Sequence, residues 1–215
     1  MNTIILEYLG LKTFTEQNAS DYCSINNINP DNVKILDLSW NKLTDISGIK
    51  IFKNIERLDL QYNYIIDITV LKDLNNLKIL DIGYNNVIDI SFLKDLNKLK
   101  VLHLYNNEIT DILNLKDLTN LEVLNLKNNK INNISVIKNF KNLKTLYLNN
   151  NGIKDISVIQ YLNKLKELNI NNLKLESDQI QYLNKNFKKY VLFLRNGFKD
   201  KTAFKQLNKN IEIYE

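Results

Sequence analysis

Side chains able to move a proton or attack a carbonyl are scarce in this chain. His103 is the single histidine and Cys23 the single cysteine among 215 residues. A nucleophile needs a base within hydrogen-bond reach, and nothing in the sequence places these two together. Ser39, His103 and Asp81 make a triad on paper. Ser39 and His103, however, lie three repeated units apart, roughly 14 Å at strand spacing. No phosphate-binding glycine motif or zinc-ligand spacing is present. The sequence therefore predicts no catalytic residue, no metal site, no cofactor and no small-molecule substrate. It does repeat residues suited to binding: Asp37, Asp59 and Asp81, and Trp40, Tyr62 and Tyr84, each 22 residues apart. A carboxylate row attracts cations, and Trp and Tyr bury much area while keeping a polar tip.

The spacing comes from a unit copied along most of the chain, and repeats decide the architecture before any motif is read. LDLSWNKL at Leu36 returns as LDLQYNYI at Leu58, LDIGYNNV at Leu80, LHLYNNEI at Leu102, LNLKNNKI at Leu124 and LYLNNNGI at Leu146. It fades as LNINNLKL at Leu168. Alternating leucines, as in Leu102 and Leu104, have the period of a short strand with one buried face. Five residues after the first leucine stand Asn41, Asn63, Asn85, Asn107, Asn129 and Asn151. Stacked at one phase, their amides are expected to bond the backbone of their own and the neighbouring turn. Loss of one rung should cost about 1–3 kcal/mol. Asp45, Asp67, Asp89, Asp111, Asn133 and Asp155 share a second phase suited to capping a short helical turn.

These residues carry a resemblance. LxxLxLxxNxL followed by tDIsxLkxLxxL resembles the 22-residue leucine-rich repeat, the subclass shared by a protein-phosphatase-1 regulatory subunit and the bacterial internalins. It runs from about Val33 to Leu175. The resemblance implies an α/β solenoid: a right-handed leucine-rich-repeat superhelix with a concave parallel β-sheet, short helical turns on the convex side, and asparagine ladders within. The expected division is a helical cap over 1–32, seven repeats over 33–175, and a helix/strand cap over 176–215. Ile4, Ile5, Leu6 and Leu9, with a cluster near Tyr22 and Ile25, are read as the N-terminal cap. A helix is expected from Ser177, a strand at Tyr190–Leu194 and an edge strand in the tail.

On such a sheet the residues between the leucines face outward in columns. The partner-binding candidates are Asp37, Trp40, Asp59, Gln61, Tyr62, Asp81, Tyr84, His103, Tyr105, Lys127 and Tyr147. Like charges on adjacent strands, about 5 Å apart, cost stability, which points to a basic partner or a bound cation. The competing reading makes the aspartates solvated members of the strand motif. The C-terminal half, rich in asparagine, reads as plain solvated surface.

Lys50, Lys72, Lys94, Lys116 and Lys138 form a stripe on the outer wall, and the chain carries a formal net charge of +5. A basic stripe suits nucleic acid, but Asp73, Asp95 and Asp117 follow three of these lysines and no aromatics interleave, so this is the weaker reading. No apolar run approaches the roughly 18–20 residues of a membrane span. MNTIILEYLGLK lacks a basic n-region and a cleavage site, and one cysteine allows no internal disulfide. The expectation is a monomeric, cytoplasmic, non-enzymatic scaffold that binds a protein through its concave face. The alternative is an exported internalin-like adhesin or effector that binds a host protein.

Overall fold

Each three-residue strand is short because the repeat allows only one buried leucine between two outward residues. In a computed structural model, describing residues 2–6, 9–173, 175, 178–179, 190–193 and 211–214, the strands of the repeats stack in chain order, with one strand before them and two four-residue strands after. They are β1 (Thr3–Ile5), β2 (Ile35–Asp37), β3 (Arg57–Asp59), β4 (Ile79–Asp81), β5 (Val101–His103), β6 (Val123–Asn125), β7 (Thr145–Tyr147), β8 (Glu167–Asn169), β9 (Tyr190–Phe193) and β10 (Ile211–Tyr214). All pair in parallel in one open sheet, and from β2 to β8 the register shifts by one whole repeat, Leu36 opposite Leu58 opposite Leu80. The solenoid is the right-handed α/β superhelix that the repeat implies. One face of the sheet is covered: the inner leucines, Leu36 to Leu146, are fully buried, while the residues between them lie on the open face.

The asparagine ladder is present. Asn63 Nδ2 donates to Leu38 O of the preceding turn and to Leu60 O of its own, both at 3.0 Å. Its Oδ1 accepts from Leu43 N at 2.9 Å. Asn85, Asn107, Asn129 and Asn151 repeat the pattern, with Asn151 less buried than the others. On the convex side, short 3-10 turns begin at Ser47, Thr69, Ser91, Leu113, Ser135 and Ser157. Asp45, Asp67, Asp89, Asp111, Asn133 and Asp155 each accept from the first backbone N–H of the turn, two residues on, at 2.8 Å.

The N-terminal segment differs from the helical cap expected. Ile4 and its neighbours form β1, an extra coil: Asn41 Nδ2 donates to Leu6 O at 2.7 Å, and its Oδ1 accepts from Leu11 N at 3.1 Å. The ladder thus ties the cap to the first repeat as it ties repeat to repeat. Among the described residues of this segment α-helix is confined to α1 (Glu16–Ile25), opened by a Thr15/Asn18 capping box. Only part of the expected apolar cluster is inside: Ile4, Leu6, Phe14, Ala19 and Cys23 are buried, whereas Ile5, Leu9 and Ile25 are exposed. Phe14 stacks on Phe52. Gly48 is needed here, because a Cβ would lie 2.4 Å from Thr15 O. Cys23 is buried, which pushes its thiol above the ordinary range. Two strands at the far end lie where the sequence placed them. The helix expected from Ser177 falls almost wholly outside the described residues.

Candidate protein-binding face

Where each strand leaves the sheet, the residue after the leucine turns the chain. Asp37 Oδ1 accepts from Ser39 N (2.9 Å), Asp59 from Gln61 N (3.2 Å) and Asp81 from Gly83 N (2.8 Å). Asn125 and Asn169 make the same bond to Lys127 N and Asn171 N, both at 3.1 Å. Such side-chain-to-backbone turns explain why five of the seven positions in this column hold Asp or Asn, His103 and Tyr147 being the exceptions. They do not explain the charge. Asp37, Asp59, Asp81 and His103 stand directly opposite one another on adjacent strands.

These aspartates are less solvated than the sequence reading allowed. Asp59 is 6% exposed. Burial above all, then the charges of Asp81 and Asp37, push it up to about 6, while the Gln61 N–H and Arg57 pull the other way. Arg57 Nη2 lies 4.0 Å from Asp59 Oδ2. Burial also pushes Asp81 up to about 6, with the Gly83 N–H and Arg57 opposing and Asp37 reinforcing. His103 is half-buried. Burial lowers its imidazole below the ordinary range, against the pull of Asp59, and Nδ1 is shielded without a hydrogen-bond partner. Tyr105 Oη donates to Gln61 Oε1 at 2.9 Å, and Gln61 Nε2 donates to Asp59 Oδ2 at 3.3 Å. The Tyr105 ring reaches across the intervening strand because position 83 is glycine; a Cβ there would lie 2.3 Å from the ring.

Next to this row, at the rim where strands become turns, runs an aromatic ledge. Trp40 stacks on Tyr62 with ring centroids 3.6 Å apart, and Tyr62 on Tyr84 at 4.2 Å, both pairs 15° from parallel. Tyr105 closes the row edge-on to Tyr84. The backbone at these positions is left-handed: φ is 54° at Trp40, 56° at Tyr62 and 53° at Tyr84. Asn106, Asn128, Asn150 and Asn172 occupy the same phase with the same sign of φ. Asparagine tolerates that conformation far better than a bulky aromatic does. In the later units the amides join into an outer ladder, Asn128 donating to Asn106, Asn150 to Asn128 and Asn172 to Asn150. The ladder stops at the aromatics, where Asn106 Nδ2 is shielded without an acceptor. An open groove of about 450 Å³ runs beside the ledge, lined by Trp40, Tyr62, Tyr64, Tyr84, Asn86 and Asn106 among others. Beyond it, Ile66 and Ile88 stand 64% and 57% exposed.

Leucine-rich-repeat family models match residues 53–95, 75–116, 97–139 and 141–185 as paired repeats and 31–52 as a single repeat. The chain belongs to the leucine-rich-repeat family. Its fold is similar to that of internalin C2 from Listeria monocytogenes, at 27% identity over 90% of this chain and 80% of that one, with a TM-score of 0.80. An internalin (InlF) from the same species shares 24% identity over 100% of this chain and 66% of its own, with a TM-score of 0.69. A leucine-rich-repeat protein of Leptospira interrogans shares 23% over 94% and 57%, with a TM-score of 0.62. At these lower identities the likeness concerns fold alone, and this chain spans less than two thirds of both proteins. No curated protein matched the chain in a sequence comparison. The fold is one typical of protein-binding scaffolds.

Within this leucine-rich-repeat frame, Asp37, Trp40, Asp59, Gln61, Tyr62, Asp81, Tyr84, His103 and Tyr105 come together, whereas Lys127 and Tyr147 lie further along the sheet. Tyr147 Oη donates to Glu167 Oε1 at 2.5 Å, and burial, then this carboxylate, raises its phenol well above the ordinary range. Ser39 and Asn149, on the same phase as the candidates Gln61, Tyr105 and Lys127, are buried. The sequence reading missed Tyr64, Ile66 and Ile88, although a signal was there. Position 64 is Lys, Asn, Glu or Lys in the units at Lys42, Asn86, Glu108 and Lys130, and the phase of Ile66 and Ile88 holds Thr44 and Thr110. The outer-wall Lys72, Lys94 and Lys116 are exposed beside equally exposed Asp73, Asp95 and Asp117. At the strand entry Glu56 sits between Lys34 and Lys78, and Glu122 between Lys100 and Lys144. Among the described residues no helix is long and apolar enough to cross a membrane.

Proposed function

We propose that this leucine-rich-repeat protein is a non-enzymatic scaffold that grips a protein partner with the N-terminal half of its concave face. One observation carries the reading: Trp40, Tyr62 and Tyr84 hold a left-handed backbone that the later repeats give to asparagine. Left-handed φ costs an ordinary side chain about 1–2 kcal/mol. Bulky aromatics kept there in three successive units are explained by a binding use, because large, rigid aromatic groups make interface anchors. Asp37, Asp59 and Asp81 then select a basic segment. One candidate partner, by class analogy, is an intracellular protein such as a phosphatase, and in this reading the scaffold acts as a monomer in the cytoplasm.

A second reading is favoured by the likeness to internalin C2: an exported protein that binds a host protein with the same face. Cell fractionation of the source organism separates the two, since only the second predicts the protein outside the cell. The binding claim is tested by paired pull-downs from the native lysate with wild type and with Trp40→Asn/Tyr62→Asn/Tyr84→Asn. The substituted residue is the one the chain itself uses at this phase. A protein retained by wild type and lost by the folded variant supports the scaffold. Identical catches sink it.

A further inference from the structure

We infer that the binding surface does not stop at the concave face but turns the rim, and that its partner is a protein segment carrying a basic residue beside apolar side chains. The inference rests on the proposed concave grip and extends it onto the flank. Three strips adjoin in the same units. The carboxylate row Asp37–Asp59–Asp81 lies on the sheet, the stacked ledge follows three residues later, and the groove beside it is lined by Tyr64, with exposed Ile66 and Ile88 following on the flank. The flank segments are held side by side by the backbone: Tyr64 N donates to Leu43 O and Asn86 N to Ile65 O, both at 2.9 Å. Ile66 and Ile88 are therefore neighbours on one wall, not scattered exposures.

Charge complementarity names the occupant. The chain as a whole is basic, at +5, yet it aligns three carboxylates in register where mutual repulsion and partial burial oppose them. Among the described residues the cation closest to them is Arg57, at 4.0 Å from Asp59. A partner cation placed there relieves the repulsion. Single exposed apolar residues on a monomer need no explanation, but a contiguous patch does. This one begins where the carboxylates end. Three residues separate the carboxylates from the ledge, Asp59 to Tyr62, and four separate the ledge from the flank isoleucines, Tyr62 to Ile66, so each step spans at most about 10–14 Å. An extended segment that bridges them therefore carries its basic and apolar side chains about three or four residues apart.

The test pans the full chain, at pH 7.5, against a phage-displayed library of linear 12-residue peptides. Selected peptides are then titrated calorimetrically against three variants: Asp59→Asn/Asp81→Asn, Tyr62→Asn/Tyr84→Asn, and Ile66→Thr/Ile88→Thr. Each substitution introduces a residue the chain already carries at that phase, so the fold is retained, and circular dichroism checks it. The expected result is peptides enriched in Lys or Arg three or four positions from a large apolar residue, with affinity at least 10-fold weaker for every variant. Unchanged affinity for Ile66→Thr/Ile88→Thr alone overturns the flank while leaving the concave grip intact. Unchanged affinity for the aspartate and aromatic variants overturns the grip itself. No enrichment, or peptides without basic residues, overturns the stated partner. A wild-type dimer in sedimentation that Ile66→Thr/Ile88→Thr makes monomeric assigns the flank to a second copy and also overturns the inference.

Discussion

The carboxylate row should make this protein less stable at neutral pH than at mild acidity, and two neutral substitutions should reverse that. Asp59 and Asp81 rise from 3.8 to about 6 on folding. Between those values the folded chain holds more protons than the unfolded one, so stability falls as pH rises from about 4 to above 6. At 1.36 kcal/mol per pH unit, each shift amounts to about 3 kcal/mol at pH 7.5. The two are not additive, because Asp81's charge supplies part of the rise at Asp59. Asparagine keeps the turn bond, as Asn125 and Asn169 show, but a neutral acceptor gives back about 1 kcal/mol of charge assistance. Asp59→Asn/Asp81→Asn should therefore be about 3 kcal/mol more stable than wild type at pH 7.5 and equal to it near pH 4. Urea unfolding at half-unit steps from pH 4 to 8 reads this directly. His103 slopes the other way, since burial lowers its imidazole and its cost grows as pH falls. Carrying His103→Asn in both backgrounds removes that slope, Asn125 being the residue at this phase in the next unit. A double variant no more stable at pH 7.5, or equally favoured at pH 4, refutes the reasoning.

Four further outcomes follow from the same geometry. Tyr84→Asn gives Asn106 Nδ2 an acceptor and relieves the left-handed φ; against a lost stacking contact worth about 0.5–1.5 kcal/mol, stability should hold or rise by up to about 1 kcal/mol, as thermal unfolding will show. Gly83→Ala drives a Cβ into the Tyr105 ring and should cost about 1–3 kcal/mol, a loss that a smaller residue in place of Tyr105 largely restores in the double variant. Asn85→Ala strips the buried Ile65 N–H and the carbonyls of Leu60 and Ile82 of their partner. It should cost about 3 kcal/mol, measurably more than Asn151→Ala at the less buried rung. A selected basic peptide should bind more weakly as pH falls from 7 to 5, because Asp59 and Asp81 lose their charge through about 6; titration calorimetry with unchanged affinity over that range would separate the peptide from the carboxylates.

Much of this was legible because a solenoid makes long-range contacts periodic in sequence. Residue n meets residue n + 22, so the phase of Leu58 or Asn63 alone reveals its neighbours, strand register included. Legibility failed where a contact breaks the period. Ile4 and Leu6 carry no repeat signature, and a three-residue apolar run does not distinguish strand from helix; the open edge of β2 decided it. The aspartates were read by their charge, yet their first task is local, accepting a backbone N–H two residues on, a bond that Asn125 makes equally well. Backbone sign was invisible at Trp40, Tyr62 and Tyr84, although the asparagines at Asn106, Asn128 and Asn150 pointed to it. Side chains that cross a strand, as Tyr105 does over Gly83 to Gln61, appear only when a missing Cβ is matched with a ring one repeat away.

The distribution of cost along the solenoid is the strongest reason to place binding at its N-terminal half. Every repeat has the same backbone to satisfy, and later units satisfy it with cheap solutions: Asn125 and Asn169 in the turn column, asparagine throughout at the left-handed position, amides donating to amides. The first three repeats use charged and bulky residues at the same two positions, where the penalty recurs unit by unit. Folding alone cannot account for the difference, because the chain carries the alternative within itself a few turns away. A genomic bias toward asparagine would act on all repeats alike, so it explains the later units and not the exceptions. The difference between the halves argues for a demand from outside the fold, and rigid aromatic edges beside carboxylates that Arg57 only partly compensates describe the chemistry that would meet it.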